Sequence, residues 1–307
     1  MEQGQWPAVT AVVPTRDRLQ LLRRAVTSVL HQDYPGHVEC LVVFDQSDPV
    51  DLGVDVPPGR SLRVLTNGRR PGLAGARNTG VLAASGELVA FCDDDDEWLP
   101  GKTAAQVPLL AAHRDAVLAS SAIFVHHEGR DHLRRPAAPE LGFADFLRDR
   151  HMAVHPCTFL IRRSALLGEL GLVDEHIPGA YGEDYDLLLR AARIAPVVSS
   201  PDPLVRVHWH AGSFFTSRWR TIDAGLRYLL ERYPEFATEP RGLARVEGQI
   251  AFARAALGDR AEARARALSA LRASWRERRA YLALLASTGL VRAEWVVGAV
   301  QRLGRSI

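Results

Sequence analysis

Residues 87–100 read ELVAFCDDDDEWLP, and the abrupt step within them from an apolar run to four consecutive aspartates restricts the chain more than any other feature. Leu88, Val89, Ala90, Phe91 and Cys92 form a short apolar run of the kind that fills a strand buried on both faces. Two unit charges about 4 Å apart repel by about 4 kcal/mol at an effective dielectric near 20, so carboxylates gathered at a strand end call for water, protons or a cation. In an extended backbone, residues two apart project to the same side. Asp93 and Asp95 can therefore face one ligand while Asp94 and Asp96 face away. Hard oxygen donors in that number suit Mg²⁺ or Mn²⁺ shared with a diphosphate better than a closed protein cage. A solvated acidic turn capping the helix that Pro100 starts fits the same residues, and this stretch alone does not separate the two readings.

The 307 residues are enough for one large domain plus an appendage. Apolar residues make up 47% and charged residues 24%, as in an ordinary soluble globular protein, and a net charge of +2 gives no case for nucleic-acid binding. The basic charge is nearly all arginine, Lys102 being the only lysine. Cys40, Cys92 and Cys157 each sit in or beside an apolar run, without metal-ligand spacing. They read as buried free thiols in a reducing compartment. The start, MEQGQWPAVTAVVP, lacks the basic residues and long apolar core of a secretory signal, and no apolar run approaches the roughly 18 residues of a membrane span. The expected location is cytoplasmic, with peripheral membrane contact left open.

Val9–Val13 closes at Pro14, and apolar residues then recur at helical spacing at Leu19, Leu22, Val26, Val29 and Leu30. This is strand, loop and helix, with the loop PTRDR at the strand's carboxyl end, where open α/β sheets bind ligands. Val38–Phe44 predicts a second strand ending in Asp45, Gln46, Ser47 and Asp48, and Leu62–Thr66 a third. Strands alternating with helices imply a largely parallel, doubly wound sheet. NGRRPGLAGARNTGVLAASG follows, a Gly-rich loop feeding a helix from about Leu73 to Ala84, with neither the dinucleotide fingerprint nor the Walker spacing. Arg77 and Asn78 are expected to turn toward the ligand edge, although Arg77 could equally pair with a surface carboxylate.

Ala116–Val125 continues the sheet, and the polar residues 126–139 read as a loop whose His126, His127 and His132 are solvated. Val154–Ile161, within HPCTFLIRR, is another apolar run. PGAYGEDYDLLLRAAR places Glu183, Asp184 and Asp186 at the start of a helix, where the positive dipole end favours acids even without a function. Leu204–Trp209 alternates as a strand, with His208 and His210 on one face. From about Thr216 the composition turns to Ala, Arg and Leu, with two amphipathic helices meeting at Gly258-Asp259. The closing LVRAEWVVGAVQRLG reads as packing on its neighbouring helices, with a bilayer or partner surface as the alternative. The domains predicted are 1–215 and a helical region 216–307.

Read in order, PTRDR, the acidic end of the second strand, ARNTG, DDDDEW, GEDYDLLLR and RVH form a series that resembles the family 2 glycosyltransferases with the GT-A nucleotide-sugar fold. The resemblance covers roughly residues 8–215. It implies that Pro14, Thr15 and Arg18 line the nucleotide pocket and that Asp45 accepts a hydrogen bond from the base. Phe44-Asp45-Gln46-Ser47 departs from the family's usual acidic pair followed by Gly-Ser, which bears on base preference. Arg77 would approach the diphosphate or sugar. Asp93 and Asp95 match the metal-binding Asp-X-Asp, with Mn²⁺ or Mg²⁺ as the ion and Asp94 or Asp96 helping to hold the sugar. In Glu183-Asp184 the second acid matches the general base, and His208 matches a histidine completing the metal or diphosphate site.

The implied activity is metal-dependent, inverting transfer of a sugar from a nucleotide-diphosphate donor to an acceptor. The acceptor, a glycan, a lipid-linked molecule, a peptide or a small natural product, is not legible in the sequence. A partner surface on the C-terminal helices is also implied as an option. The alternatives are a non-catalytic sugar-nucleotide-binding or scaffold protein and a nucleotidylyltransferase. A scaffold would have no need of a base opposite a metal site, and PTRDR lacks the glycines with which a nucleotidylyltransferase grips a triphosphate.

Overall fold

A computed structural model of the chain describes residues 6–209 and 218–289. His210 and the segment 290–307 lie outside the described residues. The chain divides into two compact units: one comprises the residues up to Phe143 together with His151–Glu175 and Glu183 to the end of the last strand, and the other comprises Ala144–Arg150, His176–Gly182 and the helices that follow.

The first unit is built on β1 (Val9–Thr15), α1 (Leu19–Leu30), β2 (Val38–Phe44), β3 (Arg60–Thr66), α2 (Leu73–Ala83), β4 (Leu88–Phe91), β5 (Glu97–Trp98), α3 (Lys102–Ala112), β6 (Leu118–His127), β7 (Arg130–Arg134) and β8 (Glu140–Leu141). After α4 (Phe143–Arg148) come β9 (Leu160–Arg162), α5 (Arg163–Leu167), α6 (Glu183–Ile194) and β10 (Val197–His208). The strands form one sheet in the order β3-β2-β1-β4-β9-β6-β10-β5, with β7 on β6 and β8 on β10. β3, β2, β1 and β4 run parallel, as do β6 and β10. β9 is antiparallel to both of its neighbours.

Every residue of β1, β2 and β4 is buried, which is why these strands read as mostly apolar runs, and the polar Thr10 and Glu39 among them pair with each other at 2.7 Å. α1 packs Leu22, Ala25, Val26, Val29 and Leu30 inward at helical spacing. α2 lies so close to β1 that a Cβ at Gly80 would meet Val12 Cγ1 at 2.3 Å. Beside the sheet, α3 begins with Lys102, which is fully buried. Its Nζ lies 4.1 Å above the Trp98 ring and has no hydrogen-bond partner among the described residues. Burial pushes its pKa down to about 7.

Two expectations change. Residues 126–139 are not simply a loop, because β6 runs on to His127, turns through Glu128 and Gly129 at positive φ (49° and 75°), and returns as β7. All five β7 residues are exposed, so the alternation that marks a half-buried strand never arises. The apolar run 154–161 resolves into a single 3₁₀ turn, Pro156–Thr158, and the three-residue β9.

The second unit holds α7 (Trp219–Arg232), a 3₁₀ turn (Pro234–Thr238), α8 (Pro240–Ala256), α9 (Arg260–Ala273) and α10 (Arg278–Ser287). Ala251, Phe252, Ala267, Ala270, Ala280 and Ala283 form its small-residue core. The turn between α8 and α9 uses Gly258 at φ 82°, and Asp259 caps α9 by accepting from Glu262 N at 3.2 Å. No helix among the described residues is long and apolar enough to cross a membrane.

Candidate active site at the strand ends

β1, β2 and β4 end side by side, so the loops that follow them share one edge. Asp17 and Gln46 hold positive φ (55° and 54°) in two of these loops. Such backbone costs a non-glycine residue on the order of 1–3 kcal/mol and persists where surrounding contacts enforce it.

The four aspartates do not continue the strand as extended backbone: Asp94 and Asp95 form a turn closed by the Asp96 N–H donating to Asp93 O at 3.1 Å, and this turn distributes the side chains. The Asp93 and Asp95 side chains are 25% and 23% exposed, whereas those of Asp94 and Asp96 are 1% and 3% exposed. Asp95 Oδ2 accepts from Arg18 Nη1 at 2.7 Å, and Arg18 also pairs with Asp94. Thr15 Oγ1 donates to Asp94 Oδ2 at 2.7 Å. Burial, with the charges of Asp95 and Asp93, pushes the Asp94 carboxyl up to about 6 despite Thr15 and Arg18. Asp96 accepts the His208 backbone N–H at 2.9 Å and the Cys157 thiol at 3.1 Å. Burial and the charges of Asp93 and Asp95 hold its carboxyl well above the usual range. The run thus carries less negative charge at neutral pH than its formal count.

Arg77 is not turned toward an open ligand edge. It is fully buried, donating from Nη1 to Glu183 Oε1 at 2.7 Å and from Nη2 to Asp93 Oδ1 at 2.8 Å, with its guanidinium 5.1 Å above the Phe91 ring. One arginine therefore joins the acidic run to the first turn of α6. Burial opposes the Asp93 charge, but Arg77 and His155 outweigh it and hold that carboxyl low. At Glu183 burial wins, helped by Asp184, and the carboxyl is pushed up to about 7 despite Arg77. Asp184 is only half-buried and accepts its neighbour's backbone N–H, from Tyr185, at 2.8 Å. Asn78 is also buried. It donates to Val173 O at 2.8 Å and to Glu175 Oε1 at 2.7 Å, fastening the stretch before α6.

Pro14 and Thr15 end β1, and Arg18 lies half-exposed beyond them. Asp45, just past β2, accepts from Asn67 Nδ2 at 2.7 Å, Gln46 Nε2 at 2.9 Å and Gly72 N at 3.0 Å. Burial would raise its pKa, but these donors hold it below the usual range. His208 ends β10, with Nε2 2.6 Å from Glu97 Oε1. Burial lowers its pKa, so the ring is neutral at pH 7. Donation from Nε2–H to Glu97 leaves Nδ1 as its acceptor nitrogen, the way carboxylates orient metal-binding histidines.

Two donor sets emerge. Asp93 and Asp95 present partly exposed carboxylates, hard oxygens of the kind that suit Mg²⁺ or Mn²⁺, and His208 is joined to the same run by its backbone bond to Asp96. Deeper in, ligand atoms of Asp93, Asp96, His155 and Cys157 lie within 4.8 Å of one another. His155 and Cys157 were missed as site residues. Their only trace in the sequence is that polar atoms interrupt the apolar run 154–161.

Comparison with known proteins gives a consistent family. The model described as glycosyl transferase family 2 matches residues 10–168. The Escherichia coli UDP-Glc:alpha-D-GlcNAc-diphosphoundecaprenol beta-1,3-glucosyltransferase WfgD is 31% identical over 102 residues, 33% of this chain and 40% of that relative. The chain thus spans less than half of that protein. Among solved structures, Staphylococcus aureus TarS 1–349 in complex with UDP-GlcNAc superposes with a TM-score of 0.61 at 16% identity, covering 92% of this chain and 91% of the other. A Pyrobaculum calidifontis mannosyltransferase in complex with GDP-Man and Mn²⁺ has a TM-score of 0.57 at 20% identity, covering 97% and 80%. At these identities the structural likeness speaks to the fold.

Proposed function

The chain belongs to glycosyl transferase family 2, and from that premise we propose that it transfers a sugar from a nucleotide-diphosphate donor to an acceptor hydroxyl, with metal dependence and inversion at the anomeric carbon. The observation that supports this reading is the Arg77 bridge, which ties Asp93 to Glu183 in the first turn of α6, beside Asp184.

The base and ribose of the donor lie against Pro14, Thr15 and Asp45, whose carboxylate stays charged to accept an N–H. Arg18 supplies positive charge at the outer aspartates, where the diphosphate arrives. Asp93 and Asp95, with His208, would hold a divalent ion, which when bound would neutralise the diphosphate as it leaves. Asp94 and Asp96, buried against Thr15, Arg18, Cys157 and the His208 N–H, brace the turn from inside and do not reach a sugar. Asp184 takes the proton from the acceptor hydroxyl as that oxygen attacks, on the face opposite the leaving diphosphate. A single displacement of this kind inverts the centre without a covalent sugar intermediate. Glu183, turned to Arg77, orients the pair of acids. The acceptor is lipid-linked, as in the name of the E. coli relative, and a membrane-peripheral location follows from that choice.

Asp95→Asn tests the metal assignment through binding alone. In a calorimetric titration with a nucleoside diphosphate, Mn²⁺ should tighten wild-type binding by about tenfold or more, on the scale of several kcal/mol available to a metal at a phosphoryl oxygen, and the variant should lose most of that gain. Binding to the wild type that is indifferent to the ion would sink the metal part of the reading.

A further inference from the structure

The second unit has its own chemistry, and none of it serves the site above. Residues 218–289 contain 14 arginines against eight acidic residues, an excess of six positive charges, whereas residues 6–209 carry five more acids than bases. Part of the basic charge is internal: Arg227 and Arg254 hold the buried Asp223 at 3.0 and 2.7 Å, and Arg266 holds the buried Glu247 at 2.8 Å. The exposed remainder is spread over the unit, at Arg218, Arg220, Arg232, Arg241, Arg260 and Arg264 as well as at the turn from α9 into α10. Arg272, Arg276 and Arg278 are exposed there. Among them stand Trp275, 69% exposed, Tyr281, 50% exposed, and Leu285, 46% exposed.

These side chains form one patch. The Tyr281 hydroxyl donates to Trp275 O at 2.9 Å, Leu285 follows Tyr281 by one helical turn, and the Arg276 guanidinium lies 5.1 Å from the Trp275 ring centroid. Large aromatics left this far in water, on a unit that buries Phe252 and Trp219 against alanines, are not serving its core. Tryptophan and tyrosine favour the boundary between hydrocarbon and water, and exposed arginines favour a negatively charged surface, so their combination matches an anionic lipid headgroup layer.

We propose that the α9–α10 turn is a peripheral membrane contact that inserts Trp275 and Tyr281 at the headgroup level of anionic bilayers, with Arg272, Arg276 and Arg278 on the lipid phosphates. The contact stands on this patch alone, independently of the chemistry assigned to the strand ends. The full chain should sediment with phosphatidylglycerol vesicles and much less with phosphatidylcholine vesicles, and the binding should weaken as salt rises. Each arginine near such a surface contributes about 1 kcal/mol, so a triple Arg272→Ser/Arg276→Ser/Arg278→Ser variant should lose about 10²-fold in partitioning. Vesicles carrying brominated acyl chains should quench part of the tryptophan fluorescence, and that part should vanish in Trp275→Phe. All of these side chains are on the surface, so thermal unfolding should be unchanged, which separates lost binding from lost fold. Equal binding to neutral vesicles, no binding at all, wild-type binding by the triple variant, or quenching that survives in Trp275→Phe would each overturn the proposal. A complex with another protein in place of lipid would give the second of these outcomes.

Discussion

Asp184→Asn should lower turnover by about 10² or more while leaving donor affinity within about threefold, because the change removes a general base and leaves the nucleotide pocket alone. The geometry makes the test clean. Glu183 is buried against Arg77 and carries the structural load of the α6 turn, whereas Asp184 is half-buried and its amide isostere can still accept the Tyr185 N–H. Steady-state turnover beside calorimetric donor binding distinguishes the roles. A parallel fall in affinity and rate would assign Asp184 to donor positioning instead.

A second large effect is expected at Arg77. Arg77→Met removes a fully buried cation and leaves the buried Glu183 and the partly exposed Asp93 without their shared partner. Breaking a buried pair by deleting one partner typically costs about 3–5 kcal/mol, readable as a lowered urea midpoint. The loss should depend on pH. Glu183 already titrates near 7 instead of its ordinary 4.5. A carboxyl raised in this way contributes stability that is fully present below its unfolded pKa and is lost as pH rises through the folded one. Wild type and variant lose this stability together up to about pH 7; the variant's folded value climbs further without Arg77, so it goes on losing, and the deficit should grow from about pH 7 upward. Arg77→Lys should restore only part of the stability, since a single ammonium cannot span both carboxylates as the guanidinium does. A deficit that is flat in pH would mean that the bridge is not charge-based.

The contrast between Arg77 and the aspartates explains which parts of the site could be read in advance. The aspartates were legible because a charged run at the end of an apolar strand is a local conflict, although the extended backbone expected of them is a turn, in which Asp93 and Asp95 are still the two that reach the surface. Arg77 was not, because its partners lie 16 and 106 residues away and an arginine in a Gly-rich helix carries no mark of burial. The fold divides similarly. β1, α1, β2, β4 and α6 follow from apolar spacing within a dozen residues. β9 is antiparallel between parallel strands, and its three residues are too few to set a period, so its place in the sheet depends on contacts made late in the chain. The exposed β7 failed for the opposite reason, since with both faces wet nothing in its composition distinguishes it from a loop.

Lys102 has a practical consequence. It is the only lysine in the sequence, and its amine is sealed beneath Trp98. In the native protein this amine is closed to amine-directed dyes and cross-linkers. A lysine-specific protease, for its part, has one peptide bond to cut, and reaches it only when the start of α3 comes away from the sheet. The chain therefore carries its own reporter for the opening of its nucleotide-sugar fold, silent in the folded protein and read as two fragments on a gel.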